Sequence, residues 1–275
     1  QPMPRRIFFV SLFLFFMIYF TFFISQLSIE RSYTSVLTFH TCSTEAFRRQ
    51  ELRPYLYTSL IEETDSKDDW INRLTSLMLD SNFRPDNSLH IIQRNSFCQK
   101  FKPREYQFLK NCYQAIWKDL LFFPVSSDKI FFSNDWLKES GCNGKSSHQG
   151  TDLWGYSHYP GFFPVISCSD GTVIQSGWTA DDGYQLLIQS PSGGFFYYSM
   201  LSSLERNWSR GNSIFAGDIL GYMGNSRHIF PHAFNNELSC LHFGIFINDI
   251  QKQKVSVNPY WILRVIHKKI RNYTY

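Results

Sequence analysis

The chain has 275 residues, 43% of them hydrophobic and 18% aromatic, and a formal net charge of +4. That length allows one large domain or two smaller ones with a substantial core, and the positive charge is spread without a long basic run, so nucleic acid is not suggested as a partner. Cysteines at 42, 98, 112, 142, 168 and 240 form no CxxC pair and no compact framework, so their pairing is not legible.

From Ile7 to Ile29 there is no charged residue, and eight phenylalanines crowd the stretch. As a helix it would extend about 34 Å, enough to cross a hydrocarbon layer of about 30 Å. Arg5 and Arg6 precede it, whereas Glu30 and Arg31 follow it. Basic residues stay on the cytoplasmic side, so residues 1–29 are expected to be a cytoplasmic stub with an uncleaved single-pass anchor, the rest lying outside the cell membrane. The competing reading is a cleaved signal peptide, for which Ile24-Ser25-Gln26-Leu27-Ser28 is a poor cleavage site.

Residues 30–121 read as helical. A helix around Ser43–Arg53 is expected to be interrupted by Pro54, and Asp65–Asp69 is an acidic capping start for a helix over Trp70–Leu79. Pro103 opens another, with Tyr106, Leu109, Tyr113, Ile116 and Leu120 at spacings of three or four. These are core stripes without chemistry, fit for a spacer or small helical subdomain.

From Phe122 the texture changes to glycine punctuation and β-branched or alternating runs. Pro164–Cys168 leads through Asp170-Gly171 into Thr172-Val173-Ile174, and Tyr184–Ser190 and Phe195–Leu201 flank Pro191-Ser192-Gly193-Gly194, a hairpin signal. Gly217–Gly224 holds a short strand between glycines. The fold class is therefore α+β overall: an apolar N-terminal helix, a small helical region, and an all-β antiparallel domain over 122–266, with 267–275 as a tail.

Chemistry concentrates in two places. In Cys240–Ile247 alternation puts Leu241, Phe243, Ile245 and Ile247 on one face and Cys240, His242, Gly244 and Phe246 on the other. Alone, His242 reads as a core histidine satisfied by one hydrogen bond. His148 and Asp152 form the second piece, with Gly144, Gly150 and Gly155 arguing for loop and strand rather than helix. Imidazole nitrogen and carboxylate oxygen suit Zn²⁺, and a second imidazole would complete three ligands.

His148-x-x-x-Asp152, the Asp170–Val173 turn, Gly217-Asp218-Ile219-Leu220-Gly221-Tyr222-Met223-Gly224 and Leu241-His242-Phe243 together resemble the lysostaphin/LytM-type metalloendopeptidases. The resemblance covers about half the chain and looks closest to membrane-anchored clostridial members, whose domains end in a segment like Ser256–Arg264. It implies an antiparallel sheet with a groove, one Zn²⁺ on His148, Asp152 and His242, and action on peptide cross-links of bacterial peptidoglycan. The resemblance also carries two departures: Met200 and Cys240 occupy the positions of the family's two catalytic histidines. Neither is a ready general base, although Cys240 is a candidate fourth zinc ligand, because thiolate binds zinc well.

Three readings follow. One is a zinc-binding but weak or inactive homologue that binds the wall or works as a scaffold or activator with a protein partner in the cell envelope. Another is an active peptidoglycan endopeptidase with substitute residues from the 225–238 loop, where His228 and His232 lie. The last is a metal-free interaction module, against which the intact ligand triad speaks.

Overall fold

The computed structural model describes residues 5–64, 66–85, 94–138, 148–157, 159–225 and 238–271. His228, His232 and Gly144 lie outside the described residues, as does Asp65.

Helix α1 (Arg5–Thr34) contains the whole uncharged run and leaves its apolar side chains exposed. By length and composition it is apolar enough to cross a membrane. At its C-terminal end the Lys102 ammonium donates to the carbonyls of Thr34 and Leu37, at 2.8 and 2.6 Å, placing a cation at the helix C-terminus.

Among the described residues, five helices, α2 to α6, then build the helical body. A single turn, α2 (Glu45–Arg48), is capped by Thr44, whose hydroxyl accepts from the Phe47 amide. The chain leaves it at Gln50, in the left-handed region at φ +47°. Pro54 then corrects the sequence reading: it opens α3 (Pro54–Glu62) rather than interrupting a helix, because a first-turn residue needs no amide hydrogen. Ser66 caps α4 (Lys67–Asp80) and accepts from the Asp69 amide. A helix not foreseen, α5 (Arg94–Phe101), stacks Phe97 on Tyr33 of α1. It is polar overall, so its period is faint.

Helix α6 (Pro103–Trp117) carries the expected Tyr106, Leu109, Tyr113 and Ile116 inward, while Leu120 is buried just beyond its end. Buried Trp117 donates its indole N–H to Gln50 at 2.8 Å, joining α6 to the turn after α2.

Among the described residues the sheet holds ten strands in the order β1-β2-β9-β8-β6-β5-β4-β7, with β10 on β9 and β3 on β8. Strands β3 (Pro164–Ile166), β4 (Gly171–Thr179), β5 (Gly183–Gln189), β6 (Phe195–Leu204), β8 (Ile219–Asn225) and β9 (Ser239–Asn248) match the runs read from sequence. Strands β1 (Ile130–Phe132), β2 (Thr151–Gly155), β7 (Ser213–Ile214), β10 (Lys254–Val257) and helix α7 (Tyr260–Ile266) complete the set.

Strand β9 is the axis. On one side it pairs with β2 and then β10, and on the other with β8 and then β6. Strand β6 therefore changes partner along its length. Phe195–Ser199 pair with β9, and Leu201–Leu204 pair with β8. The residue at the changeover is Met200, in the left-handed region at φ +63°.

The apolar face of β9, Leu241, Phe243, Ile245 and Ile247, is buried in one continuous core that also takes in Leu109, Tyr113 and Ile116 of α6. The helical segment thus packs into the same core as the sheet. Its contact with the β5–β6 hairpin is close. A Cβ at Gly194 would collide with the Ala115 carbonyl, and Asp119 accepts from the Ser192 amide and hydroxyl at 2.7 and 3.0 Å.

Candidate metal centre

The second face of β9 meets β2 in a register that pairs Asp152 with His242. Residues directly opposite across an antiparallel pair have Cβ atoms about 4.5–5.5 Å apart, so carboxylate and imidazole converge without distortion. His148 enters from the segment before β2, fixed by two backbone bonds: its amide donates to Lys138 O at 3.0 Å, and its carbonyl accepts from the Leu137 amide at 2.8 Å. Gly150 leaves the space that the His242 ring occupies, since a Cβ there would lie 2.5 Å from Cε1 and 2.6 Å from Nε2.

The three side chains form a tight triangle. His148 Nε2 lies 3.1 Å from Asp152 Oδ1 and 3.0 Å from His242 Nδ1, and His242 Nδ1 lies 2.9 Å from Asp152 Oδ1. Among the described residues, this is the group of three or more potential metal ligands whose donor atoms lie within 4.8 Å of one another. Tetrahedral bonds of about 2.0–2.1 Å would set ligand atoms about 3.3 Å apart, so the donor set and its spacing fit zinc. The side chains keep 13, 26 and 17% exposure for His148, Asp152 and His242, enough for a ligand to approach from one side.

Electrostatics also favour a cation here. Burial disfavours charged His148, yet hydrogen bonds to Asp135 and Asp152 outweigh it and push the imidazole up to about 10. Burial alone would raise Asp152, but hydrogen bonds from both imidazoles hold its carboxyl well below the usual range. Asp135 is a residue the sequence reading missed. The Asp135 carbonyl lies 3.3 Å from His148 Nδ1 and its carboxylate 3.6 Å away, which leaves Nε2 as the ligating lone pair. It sits far from any recognisable motif, so no sequence signal marks it.

Met200 and Cys240 come together, with the Cys240 thiol 3.8 Å from the Met200 sulfur. Cys240 is fully buried, pairs in register with Trp154 and Gly224, and is not part of the His148–Asp152–His242 group. Its thiol turns toward Met200, whereas His242, two residues on, turns to Asp152. Tyr197, also unforeseen, sets its ring edge-on to His242 with centroids 6.0 Å apart and donates to Gln185 Oε1. Burial, with the Asp182 charge adding to it, pushes that phenol up to about 12.

The sequence model of Peptidase family M23 matches residues 146–259. An L-Ala–D-Glu endopeptidase of Bacillus subtilis (strain 168) is 27% identical over 141 residues, 51% of this chain and 41% of that relative, so the match spans less than half of the relative's length. A crystal structure from Ruminococcus gnavus ATCC 29149, described there as a candidate glycyl-glycine endopeptidase lytM, is 28% identical. It aligns over 84% of this chain and 94% of that one with a TM-score of 0.66. The His–Asp–His group and these matches agree: residues 146–259 carry a Peptidase family M23 domain, and the fold is similar to that of the LytM-type structure.

Proposed function

We propose that this chain holds one Zn²⁺ on His148, Asp152 and His242, faces the cell wall from an α1 membrane anchor, engages peptide segments of peptidoglycan, and hydrolyses them weakly or not at all. The observation that carries the reading is the sulfur pair: Met200 and Cys240 fill the positions where the resemblance places catalytic histidines. The metal, when bound, would polarise a substrate carbonyl and acidify a water. What this chain adds is positioning. Asp135 sets the tautomer of His148, and the Asp152–His242 register fixes two ligands on paired strands.

Among the described residues, no further histidine stands beside the His148–Asp152–His242 group to act as a base for the water. The other described histidines, His40 and His267, are outside the metal-ligand group; His267 meets Phe123 and Phe132 edge-on. Loss of general acid–base help commonly costs a factor of about 10²–10⁴. The division at residue 122 belongs to the same proposal: 30–121 as a supporting region and 122–266 as the catalytic-type domain.

The test is digestion of purified peptidoglycan by the full chain in detergent, with and without chelator. Slow or absent release of peptide ends is expected, with a rise of at least about tenfold in Met200→His/Cys240→His. Left-handed backbone accepts His more readily than Met, so the double variant suits the φ of residue 200. Fast, chelator-sensitive cleavage by the parent would overturn the weak-enzyme reading and point to the 225–238 loop.

A further inference from the structure

Beside the metal centre, the arm Asn134–Lys138 separates two features. On one side Asp135 touches His148; on the other, residues 134 and 136–138 line a pocket of about 290 Å³ shared with α2, the turn after it and α7. That volume is at the low end of small-molecule sites, which run roughly 300–1,000 Å³. Apart from Asn258 and Trp261, which follows it closely, the lining residues precede residues 146–259, the span that matches the family.

Its chemistry is specific. Trp136 and Trp261 supply flat apolar surface, and Trp136 is held by the Arg48 guanidinium 5.1 Å from its ring centre. Arg48 is itself anchored on Ser256 O and Oγ at 2.6 and 2.8 Å. The Trp136 indole nitrogen is buried, and no acceptor meets it among the described residues. Around the rings stand two carboxylates, Glu45 and Glu51, and two cations, Arg49 and Lys138. Arg49 already pairs with Glu45 at 2.6 Å. A ligand of net charge would leave one sign of this lining unmatched, whereas a neutral polyhydroxyl ring can use both signs as donors and acceptors. Leu137, in the same arm, sits in the left-handed region at φ +60°, a conformation costly for a bulky residue and held here by its bond to His148 O.

We infer that this pocket is a saccharide subsite that takes an N-acetylated pyranose of the wall glycan, stacked on Trp261 and Trp136, while the attached peptide reaches the His148–Asp152–His242 group. The inference deepens the proposed wall-facing function and rests on it for the source of the sugar. Binding needs neither the metal nor cleavage, so the two are separable.

The probe is the β-1,4 tetramer of N-acetylglucosamine, added to the full chain in a detergent without a sugar headgroup and read by saturation-transfer NMR. The tetramer is expected to bind the parent and His242→Ala alike, and to bind Trp261→Ala and Glu51→Gln about tenfold more weakly. Circular dichroism confirms that each variant is folded, and Glu51→Gln, half-exposed, serves if Trp261→Ala is not. Absence of binding to the parent, unchanged binding in folded variants, or displacement of the tetramer by a wall stem peptide would overturn the subsite. Sugar binding without any peptide release leaves it standing and counts only against hydrolysis.

Discussion

Asp135 gives His148 one usable lone pair. With Nδ1 3.3 Å from its carbonyl and 3.6 Å from its carboxylate, the ring is turned so that Nε2 faces Asp152 and His242. Partners of this kind typically tune metal affinity by a factor of about 10–100. Asp135→Ala is therefore expected to weaken zinc binding by about that factor, measured by competition against a fluorescent chelator, with the far-ultraviolet spectrum unchanged. An affinity equal to that of the parent would show that the backbone carbonyl alone orients the ring. Met200 is the other telling residue. Its left-handed backbone lies where β6 passes from β9 to β8, and its amide donates to Asp182 O at 2.6 Å. The conformation coincides with the strand crossing, so it belongs to the backbone path of β6.

At the scale of elements, the β5–β6 hairpin is tied to the end of α6. Asp119 takes both hydrogens offered by Ser192, and Gly194 allows the Ala115 carbonyl to approach. Asp119→Ala leaves the Ser192 amide without its partner in a part-buried contact, a loss worth about 1–3 kcal/mol. Thermal unfolding should show that destabilisation, and a midpoint unchanged within error would mean that the hairpin does not depend on the helix. The element reading from sequence was good where a period is strong. Trp70–Leu79 and the Pro103 helix appear with their apolar faces inward, and the hairpin forms around 190–194. It failed at Pro54, α5 and α7. Proline marks both the end and the start of helices, α5 is too polar to show a stripe, and α7 is only seven residues long.

For the whole molecule, α1 and the body are joined by more than a linker. Lys102 holds the exit of α1, and Phe97 of α5 stacks on Tyr33. If α1 spans a membrane with Arg5 and Arg6 inside, the body stands directly on the outer surface and cannot drift far from it. In cells, protease added from outside is expected to degrade the body, leaving a membrane-embedded α1 fragment. Full protection in intact cells, lost only on lysis, would reverse the orientation.

The sequence by itself determined the apolar α1 and the helical-then-β order, which are properties of composition and period carried by neighbouring residues. Through the resemblance of several separated motifs it also pointed to the M23-type domain and to His148, Asp152 and His242. Tertiary structure alone decided the rest, because it depends on distant segments meeting. The Asp152–His242 register brings residues 90 apart in sequence within 2.9 Å. Asp135 reaches His148 only because the arm after β1 folds back on it, and the sulfurs of Met200 and Cys240 meet only because β6 changes partner beside β9. The core is shared by α6 and the sheet since neither could cover its apolar face alone, a requirement of burial that no local pattern records.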